Sequence, residues 1–301
     1  MRTTKSPRRV LQYAYLIGLM TLRLHTCKYS RKTFTQPQLF ACLVLKDFLH
    51  LDYRKLSALL RDSPDLAEVV ELQKIPHFTT FQKAAARLLA AKPARKLLDK
   101  TIHIARWQRN LSGRVALAAI DGTGLETRHA SSYYVRRRAN TGKDWQRTTY
   151  QTFPKAGIVC DCRSHLILAV VPGRGPKPDI PHFRVALDQA LSRVQIDAIA
   201  ADAGYDAEHA HEFARYERGV RSLIPATIGR RTSKPASGYW RRQMQRRLHL
   251  TRYTQRWQIE TVNSMLKRLL GSATRARTYW SQCREIVLRA ITLNIMILRR
   301  A

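Results

Sequence analysis

Apolar residues recur at three- and four-residue intervals through the first third of the chain. In the stretch QPQLFACLVLKDFLHLDYRKLSALL, which begins at Gln36, this spacing predicts amphipathic helices, and Pro64 and Pro76 mark breaks in the pattern. We therefore predict an all-helical N-terminal domain over residues 1–105, with a role in DNA binding or dimerisation.

One of these helices can be interpreted in two ways. In HFTTFQKAAARLLAA, either Thr79 or Thr80 is a candidate N-cap. The helix is either the second helix of a helix-turn-helix or a helix of the core or of a dimer contact. The sequence leaves both interpretations open.

The hydrophobic pattern changes after residue 106, from helical spacing to short apolar runs that are typical of buried strands. The strand candidates are VALAAIDGTGL, KAGIVCDC, HLILAVVPG, IDAIAADAGYD and RSLIPAT. Helix candidates between the later strands are PHFRVALDQALSRV and AEHAHEFARYERGV. Strands joined first by a tight turn and then by helical crossovers predict an α/β fold over residues 106–301, with a mixed sheet and flanking helices.

Two segments follow the last strand candidate. TIGRRTSKPASGYWRRQMQRRLHLTR, residues 227–252, is rich in arginine and lacks acids, and we predict a basic loop that becomes ordered on phosphate. Residues 253–270 are predicted to form a helix. On that helix Tyr253, Arg256, Glu260 and Lys267 would share an arc of about 60°, away from the apolar face. An amphipathic helix with a chance polar face is the alternative.

Charge narrows the choice of partner. The chain has 301 residues with 54 Lys and Arg against 21 Asp and Glu, a formal charge of +33. Such an excess repels itself unless a polyanion is near, so nucleic acid is the first candidate partner. No apolar run is long enough to span a bilayer, and the basic N-terminus is interpreted as a tail that leads into a helix. We expect no membrane association and a cytoplasmic location.

The cysteines support the same location. Five cysteines, an odd number, do not form a disulfide framework, and they fit a reducing compartment. Cys160 and Cys162 have no second pair at zinc-ligand spacing, so we interpret them as part of a strand.

Three acids are the candidates for chemistry. Asp121 and Asp202 each end an apolar strand candidate, and Glu260 is the sole acid between Arg218 and Arg284. Helix capping or a buried salt bridge is the alternative for each aspartate. If the three converge, their repulsion requires cations, and hard divalent ions accept oxygen ligands of this kind. Two Mg²⁺ or Mn²⁺ ions at such a site would suit phosphoryl transfer.

These residues also resemble a known family. The segment YTQRWQIETVNSMLK matches the pattern Tyr-x2-Arg-x3-Glu-x6-Lys, and the blocks DGTGLE and ADAGYD precede it. Over about residues 110–300 the chain resembles the DDE transposases of bacterial and archaeal insertion sequences. The resemblance implies a ribonuclease-H-like catalytic domain in which Asp121, Asp202 and Glu260 hold the metal ions. It also implies that Tyr253, Arg256 and Lys267 contact phosphates near the transposon end.

The resemblance further implies double-stranded DNA partners, namely transposon ends and a target, and a homodimer in the synaptic complex. Larger members of the family carry a β-rich insertion between the second aspartate and the glutamate. Here these residues are 260 − 202 = 58 positions apart, so we expect no inserted domain. Steps that depend on such an insertion, such as formation of a DNA hairpin, are in doubt.

Metal-dependent DNA cleavage and strand transfer is the leading functional prediction. A catalytically silent or domesticated DNA-binding protein and a ribonuclease-H-like nuclease are the alternatives. Glu126 and Asp206 compete with the three acids as ligands, although a solvated loop or a cap is expected for both. His129 is interpreted as a phosphate contact or a surface residue rather than a ligand. Several aromatic residues lie beside cations, and they either stack on DNA bases or pack within the protein; these are Tyr133, Tyr134, Trp145, Trp240 and Trp257.

Overall fold

The computed structural model describes residues 3–29, 31–127, 153–227 and 236–298. Helices precede the first strand, as predicted. In this part of the chain they are α1 Pro7–Thr21, α2 Gln36–Phe48, α3 Tyr53–Asp62, α4 Pro64–Val69, α5 Phe78–Leu88 and α6 Ala91–Trp107.

Polar side chains fix where several of these helices begin. Thr35 accepts a hydrogen bond from the Gln38 amide, while the Gln38 side chain accepts one from the Thr35 amide, which is a capping box. Asp52 caps α3 through the Lys55 amide. The prediction that Thr79 or Thr80 caps α5 was wrong. The helix begins at Phe78 with His77 at the N-cap, and both threonines lie in its first turn.

A five-stranded mixed sheet follows, and this confirms the predicted α/β fold. Its strands are β2 Ala118–Gly124, β4 Phe153–Asp161, β5 Ile167–Gly175, β7 Ala198–Ala201 and β8 Arg221–Leu223. They lie in the order β5, β4, β2, β7, β8. β2 pairs antiparallel with β4, and β4 with β5, whereas β2, β7 and β8 are parallel.

Two-residue strands lie beside this sheet. β1 Arg114–Val115 pairs with β6 Gln195–Ile196, and β3 Glu126–Thr127 pairs with β9 Ala273–Thr274.

The prediction that Asp121 ends its strand was wrong. β2 continues to Gly124 because its antiparallel partner β4 goes on pairing with it as far as Lys155. What ends near Asp121 is the pairing with β7, whose last matched residues are Ile120 and Ala201.

Helices cover the sheet, as expected for this class. They are α7 Ile180–Leu191, α8 Glu208–Glu212 with a π-helical continuation Phe213–Glu217, α9 Tyr239–Arg247, α10 Trp257–Leu270 and α11 Tyr279–Leu298.

Two sequence predictions need correction here. The segment predicted as a basic loop is helical over Tyr239–Arg247, where the Glu208 carboxylate accepts hydrogen bonds from the amides at the start of α9. Residues 228–235 of that segment lie outside the described part of the chain. The helix predicted to begin at residue 253 begins at Trp257 instead, and a 3-10 helix, Arg252–Arg256, precedes it.

One buried cluster joins the N-terminal helices to the sheet. It includes Phe40 of α2, Leu97 of α6, Ile158 of β4 and Ile291 of α11. The Thr4 amide also donates to the Met296 carbonyl at 3.0 Å. The division at residue 105 stays a prediction, and the two halves share this core.

The cysteines and the apolar helices also bear on the sequence predictions. All five cysteines are free thiols. Cys160 lies buried on β4, but Cys162 lies in the turn that follows, so the prediction that both belong to a strand was wrong for Cys162. None of the helices in the described ranges is long and apolar enough to cross a membrane.

Candidate active site

Strand register brings two carboxylates together. Ile120 of β2 and Ala201 of β7 are matched on parallel neighbours, so Asp121 and Asp202 are the next residues along each strand. Neighbouring parallel strands lie about 4.8 Å apart, and equivalent positions point to the same face. Asp202 then leaves the sheet as the N-cap of a 3-10 turn, where its Oδ1 accepts the Gly204 amide at 3.0 Å.

The Asp121 carboxylate is held by neighbours and destabilised by burial. The Gly122 amide donates to its Oδ1 at 2.8 Å, and Asn263 Nδ2 donates to its Oδ2 at 2.9 Å. Burial and then the charge of Asp202 raise the pKa of Asp121 to about 6, although the Gly122 amide and Arg256 oppose the shift. A cation bound between the two aspartates would relieve this cost.

Glu260 lies in the first turn of α10 and faces a cation. Its Oε1 is 2.5 Å from Arg256 Nη2, and 57% of the side chain is exposed. Arg256 itself is the last residue of the 3-10 helix, and its charge also favours ionised Asp121. The guanidinium therefore interacts with acids on both the helix and the sheet.

Tyr253 belongs to the same group of side chains. Burial raises the pKa of its hydroxyl, and the charges of Asp202 and Glu260 act in the same direction, while Arg256 opposes them. The Tyr253 ring thus lies within electrostatic reach of the second aspartate and of the glutamate.

A pocket of about 430 Å³ connects the remaining candidate to the acids. Asp121, Glu260 and Lys267 line it together with Asn263 and Arg268. Lys267 is seven residues beyond Glu260, which is about two turns of α10 and the same side of the helix. The structure therefore brings all six sequence candidates into one region: Asp121, Asp202, Tyr253, Arg256, Glu260 and Lys267.

Three further residues at this site escaped the sequence analysis. Asn263 bonds Asp121, and its place three residues after Glu260 is a signal that could have identified it. Asp179 precedes α7 and packs against Gly122, where a Cβ atom would overlap its carboxylate. The Tyr205 hydroxyl is fully buried without a hydrogen-bond partner among the described residues, and nearby Asp179, Asp121 and Asp202 all disfavour its ionisation.

The competing acids have other surroundings. Asp206 is buried against Arg241, with its Oδ2 2.7 Å from Nη2, and the Thr227 amide donates to the same oxygen. Burial acts to raise its pKa, but these hydrogen bonds outweigh it and the pKa is lowered. Glu126 is exposed on β3. His129 lies outside the described residues.

The aromatic candidates separate in a similar way. Trp240 packs within the protein, with the Arg215 guanidinium 4.0 Å from its ring centroid and Tyr216 beside it. Trp257 is 56% exposed and is therefore free to face a ligand. Tyr133, Tyr134 and Trp145 lie outside the described residues.

The paired aspartates suit a hard metal ion, whereas Glu260 is paired with an arginine. Within the described ranges, no three His, Cys, Asp or Glu side chains form a group that could hold a metal ion. Glu260 is engaged by Arg256 instead. The paired aspartates, whose repulsion a cation would remove, and the unpartnered Tyr205 hydroxyl nevertheless fit a site for Mg²⁺ or Mn²⁺.

Comparison with known proteins adds an independent finding. A family model described as transposase DDE domain matches residues 116–295. The match covers the sheet, its helices and all six candidate residues. A search of curated proteins finds no match to the chain.

Proposed function

The chain belongs to the DDE transposase family, and from that premise we propose that it is an insertion-sequence transposase that cleaves DNA at transposon ends and joins the released 3′-hydroxyl groups to target DNA. The observation that carries this proposal is the register of β2 and β7, which sets Asp121 beside Asp202. A carboxylate pair next to a helix that carries Glu260 and Lys267 provides oxygen donors and a cation of the kinds that suit metal-dependent phosphoryl transfer.

The two aspartates would hold the metal ions that the family uses. Two Mg²⁺ or Mn²⁺ ions held there would supply activation of a water or 3′-hydroxyl and stabilisation of the leaving oxygen. Asp121 must be ionised for this role, and the bonds from Gly122 and Asn263 hold its carboxylate in place. Glu260 supplies a third carboxylate once its side chain leaves Arg256.

We assign DNA contact to Tyr253, Arg256 and Lys267. A phosphate near Arg256 would compete with Glu260 for the guanidinium, because phosphate accepts the same two-pronged hydrogen bonds as a carboxylate. Arrival of the DNA strand would thereby free Glu260 to join the aspartates. Lys267 lines the same pocket and adds a positive charge for the strand.

The substrate also bears on assembly. Two transposon ends must meet for strand transfer, so we propose that at least two copies of the chain act together as a homodimer on double-stranded DNA. A cytoplasmic location follows from the substrate in a bacterial or archaeal cell.

The acids provide the direct test. Asp121→Asn, Asp202→Asn and Glu260→Gln each remove one anionic donor with little change of volume. Nicking of a duplex that contains the transposon end, measured in Mg²⁺, should fall by roughly two orders of magnitude or more for each variant, while DNA binding persists. Native rates in any of the three would refute its assignment as a metal ligand.

Glu126→Gln is the matched control, since Glu126 is exposed and β3 is paired through backbone atoms. Asp206→Asn would be a poor control because the change weakens the buried ion pair with Arg241. Nicking without strand-transfer products would instead support a nuclease. Binding without any metal-dependent cleavage by the parent chain would support a catalytically silent DNA-binding protein.

A further inference from the structure

A cationic surface lies beyond the amino end of strand β2, before its first residue Ala118. A pocket of about 920 Å³ is bounded by the end of α6, by residues 115–117, by the turn between β4 and β5, and by the 3-10 helix Arg252–Arg256. We call it the arginine groove. Its arginines are Arg106, Arg109, Arg114, Arg163 and Arg252.

Most of this charge is not neutralised by the protein. Arg114 pairs with Asp197 at 2.7 Å. None of the exposed residues Arg109, Arg163 and Arg252 forms an ion pair within the described part of the chain. Crowded guanidinium groups repel one another, so the groove favours an anionic ligand.

Among the described residues, the one acid on the wall of the groove is already engaged. Asp161 is buried, and its carboxylate accepts hydrogen bonds from the amides of Arg163 and Ser164 and from the Ser164 hydroxyl. It therefore shapes the turn that presents Arg163, and it offers little compensation to the arginines.

The groove and the candidate active site share a structural element. Arg252 and Gln255 of the 3-10 helix line the groove, whereas Tyr253 and Arg256 of the same short helix face the acids. Along β2, Leu117 at the groove is four residues from Asp121, or about 13 Å at the usual rise of a strand.

We propose that the arginine groove binds the phosphodiester backbone of duplex DNA, on the same molecule whose phosphate reaches Asp121. Five guanidinium groups outnumber the charges of a single phosphate, whereas a duplex carries a charge every ~1.7 Å of its axis. A separation of about 13 Å corresponds to roughly four base pairs along the duplex axis. This inference rests on the proposed function, because the other contact on the same DNA molecule is the candidate active site at Asp121.

The first experiment measures binding alone. The triple variant Arg109→Gln/Arg163→Gln/Arg252→Gln is compared with the parent by fluorescence anisotropy on a short random duplex, in EDTA, over a range of salt concentrations. The slope of log affinity against log salt should become shallower by about 0.9 for each phosphate that the variant no longer neutralises.

The control removes the same charge elsewhere. Lys55→Gln/Arg61→Gln/Lys83→Gln changes three exposed cations of α3 and α5, none of which lines either site. If this control loses as much affinity and slope as the groove variant, the groove has no special role. If polyglutamate binds the parent as tightly as the duplex and depends equally on the three arginines, the surface is a general anion site and the assignment to DNA falls.

The second experiment locates the contact. Uncharged methylphosphonate linkages are placed singly on either side of the scissile bond of an end-containing duplex. Neutralising a phosphate about four base pairs away along the duplex axis, on one strand or the other, should weaken binding by the parent and have little further effect on the groove variant. The side on which this happens distinguishes transposon DNA from flanking DNA, and no such position on the duplex would overturn the proposed path.

These outcomes separate the two proposals. Groove-dependent binding without metal-dependent cleavage would refute the proposed function and leave the groove as a DNA surface. A groove variant that binds and cleaves DNA like the parent would refute the proposed DNA contact at the groove and leave the proposed function intact.

Discussion

The two ends of strand β2 carry charge in opposite ways. At the carboxyl end, by which we mean residues 121–124 beyond the pairing with β7, the Asp121 carboxylate accepts hydrogen bonds from an amide and an asparagine and has a second aspartate beside it. At the amino end, several arginines surround a large open groove, and three of them lack an ion-pair partner among the described residues. The carboxyl end has few charged groups, and hydrogen bonds fix their positions. The amino end has many guanidinium groups, most of them exposed.

This difference implies two kinds of work. Chemistry depends on the position of individual oxygens, so a small displacement at Asp121 matters. Binding to a phosphate backbone depends on the number of cations, because each contact adds a similar electrostatic contribution. Substitutions that conserve charge but alter geometry should therefore affect the carboxyl end more than the amino end.

The same substitution at each end tests this most sharply. In Gly122→Ala the new Cβ would overlap the Asp179 carboxylate, which is already paired with Lys155 at 2.7 Å. Relief of that overlap should cost about 1–3 kcal/mol of stability and displace Asp121, so cleavage should fall by roughly two orders of magnitude. Thermal unfolding and nicking assays measure the two effects.

Gly113→Ala is the counterpart at the groove. Its Cβ would lie 3.1 Å from Arg106 Nη2, the far end of a flexible side chain that can move aside. Stability and cleavage should stay close to those of the parent. Equal losses in the two variants would abolish the proposed difference between the ends.

Replacement of arginine by lysine should give an intermediate effect. Arg256→Lys keeps the charge but loses the planar fork that engages Glu260 and, in our proposal, a phosphate. Loss of one charge-assisted hydrogen bond should lower cleavage about tenfold.

Arg252→Lys is the control for that change, since it lies on the same 3-10 helix but faces the groove. At the groove the affinity for DNA depends on the number of cations, which this change conserves. Binding and cleavage should therefore change less than about twofold in low salt. A loss as large as that of Arg256→Lys would mean that geometry governs both ends.

The smallest effect concerns pH. Asp121 has a folded pKa of about 6 against an ordinary value of 3.8, so the folded state holds its proton more tightly. Its contribution to stability is complete below pH 3.8 and is lost as pH rises through 6. In the absence of metal, Asp121→Asn should therefore gain stability relative to the parent as pH rises from about 4 to about 7, by no more than about 2 kcal/mol.

Paired thermal melts of the two proteins measure this difference. Asp47, whose pKa burial also raises to about 6, is common to both and cancels. Mg²⁺ should remove the difference near neutral pH, because a bound cation stabilises ionised Asp121. No change in the difference with pH would mean that Asp121 is ionised throughout and is not destabilised by Asp202.

Sequence patterns anticipated much of this arrangement, for a local reason. Buried strands are short apolar runs, and an acid at the end of such a run stands out, so Asp121 and Asp202 could be found without a structure. The spacing of Tyr253, Arg256, Glu260 and Lys267 was equally legible, although the first two lie on a 3-10 helix. A periodic pattern does not reveal where one helix type gives way to another.

Features set by tertiary contact were beyond reach. Asp179 and Tyr205 reach the site through the packing of α7 and of a turn against the sheet, and neither belongs to a recognisable motif. The true end of β2 depends on the length of its partner β4. The arginine groove gathers side chains from three separate segments, residues 106–117, 161–164 and 252–255, whose proximity only the folded chain creates.

The hydrogen bond between Thr4 and Met296 has a consequence for how the protein is made. A ribosome delivers α1, α2 and α6 first, but α11, which covers part of their shared core, follows only after residue 279. At usual rates of synthesis the wait is roughly 10 to 40 s, during which apolar faces stay uncovered. The yield of folded protein therefore depends on how the cell shelters an unfinished chain, and greater stability of the finished chain would not shorten that wait.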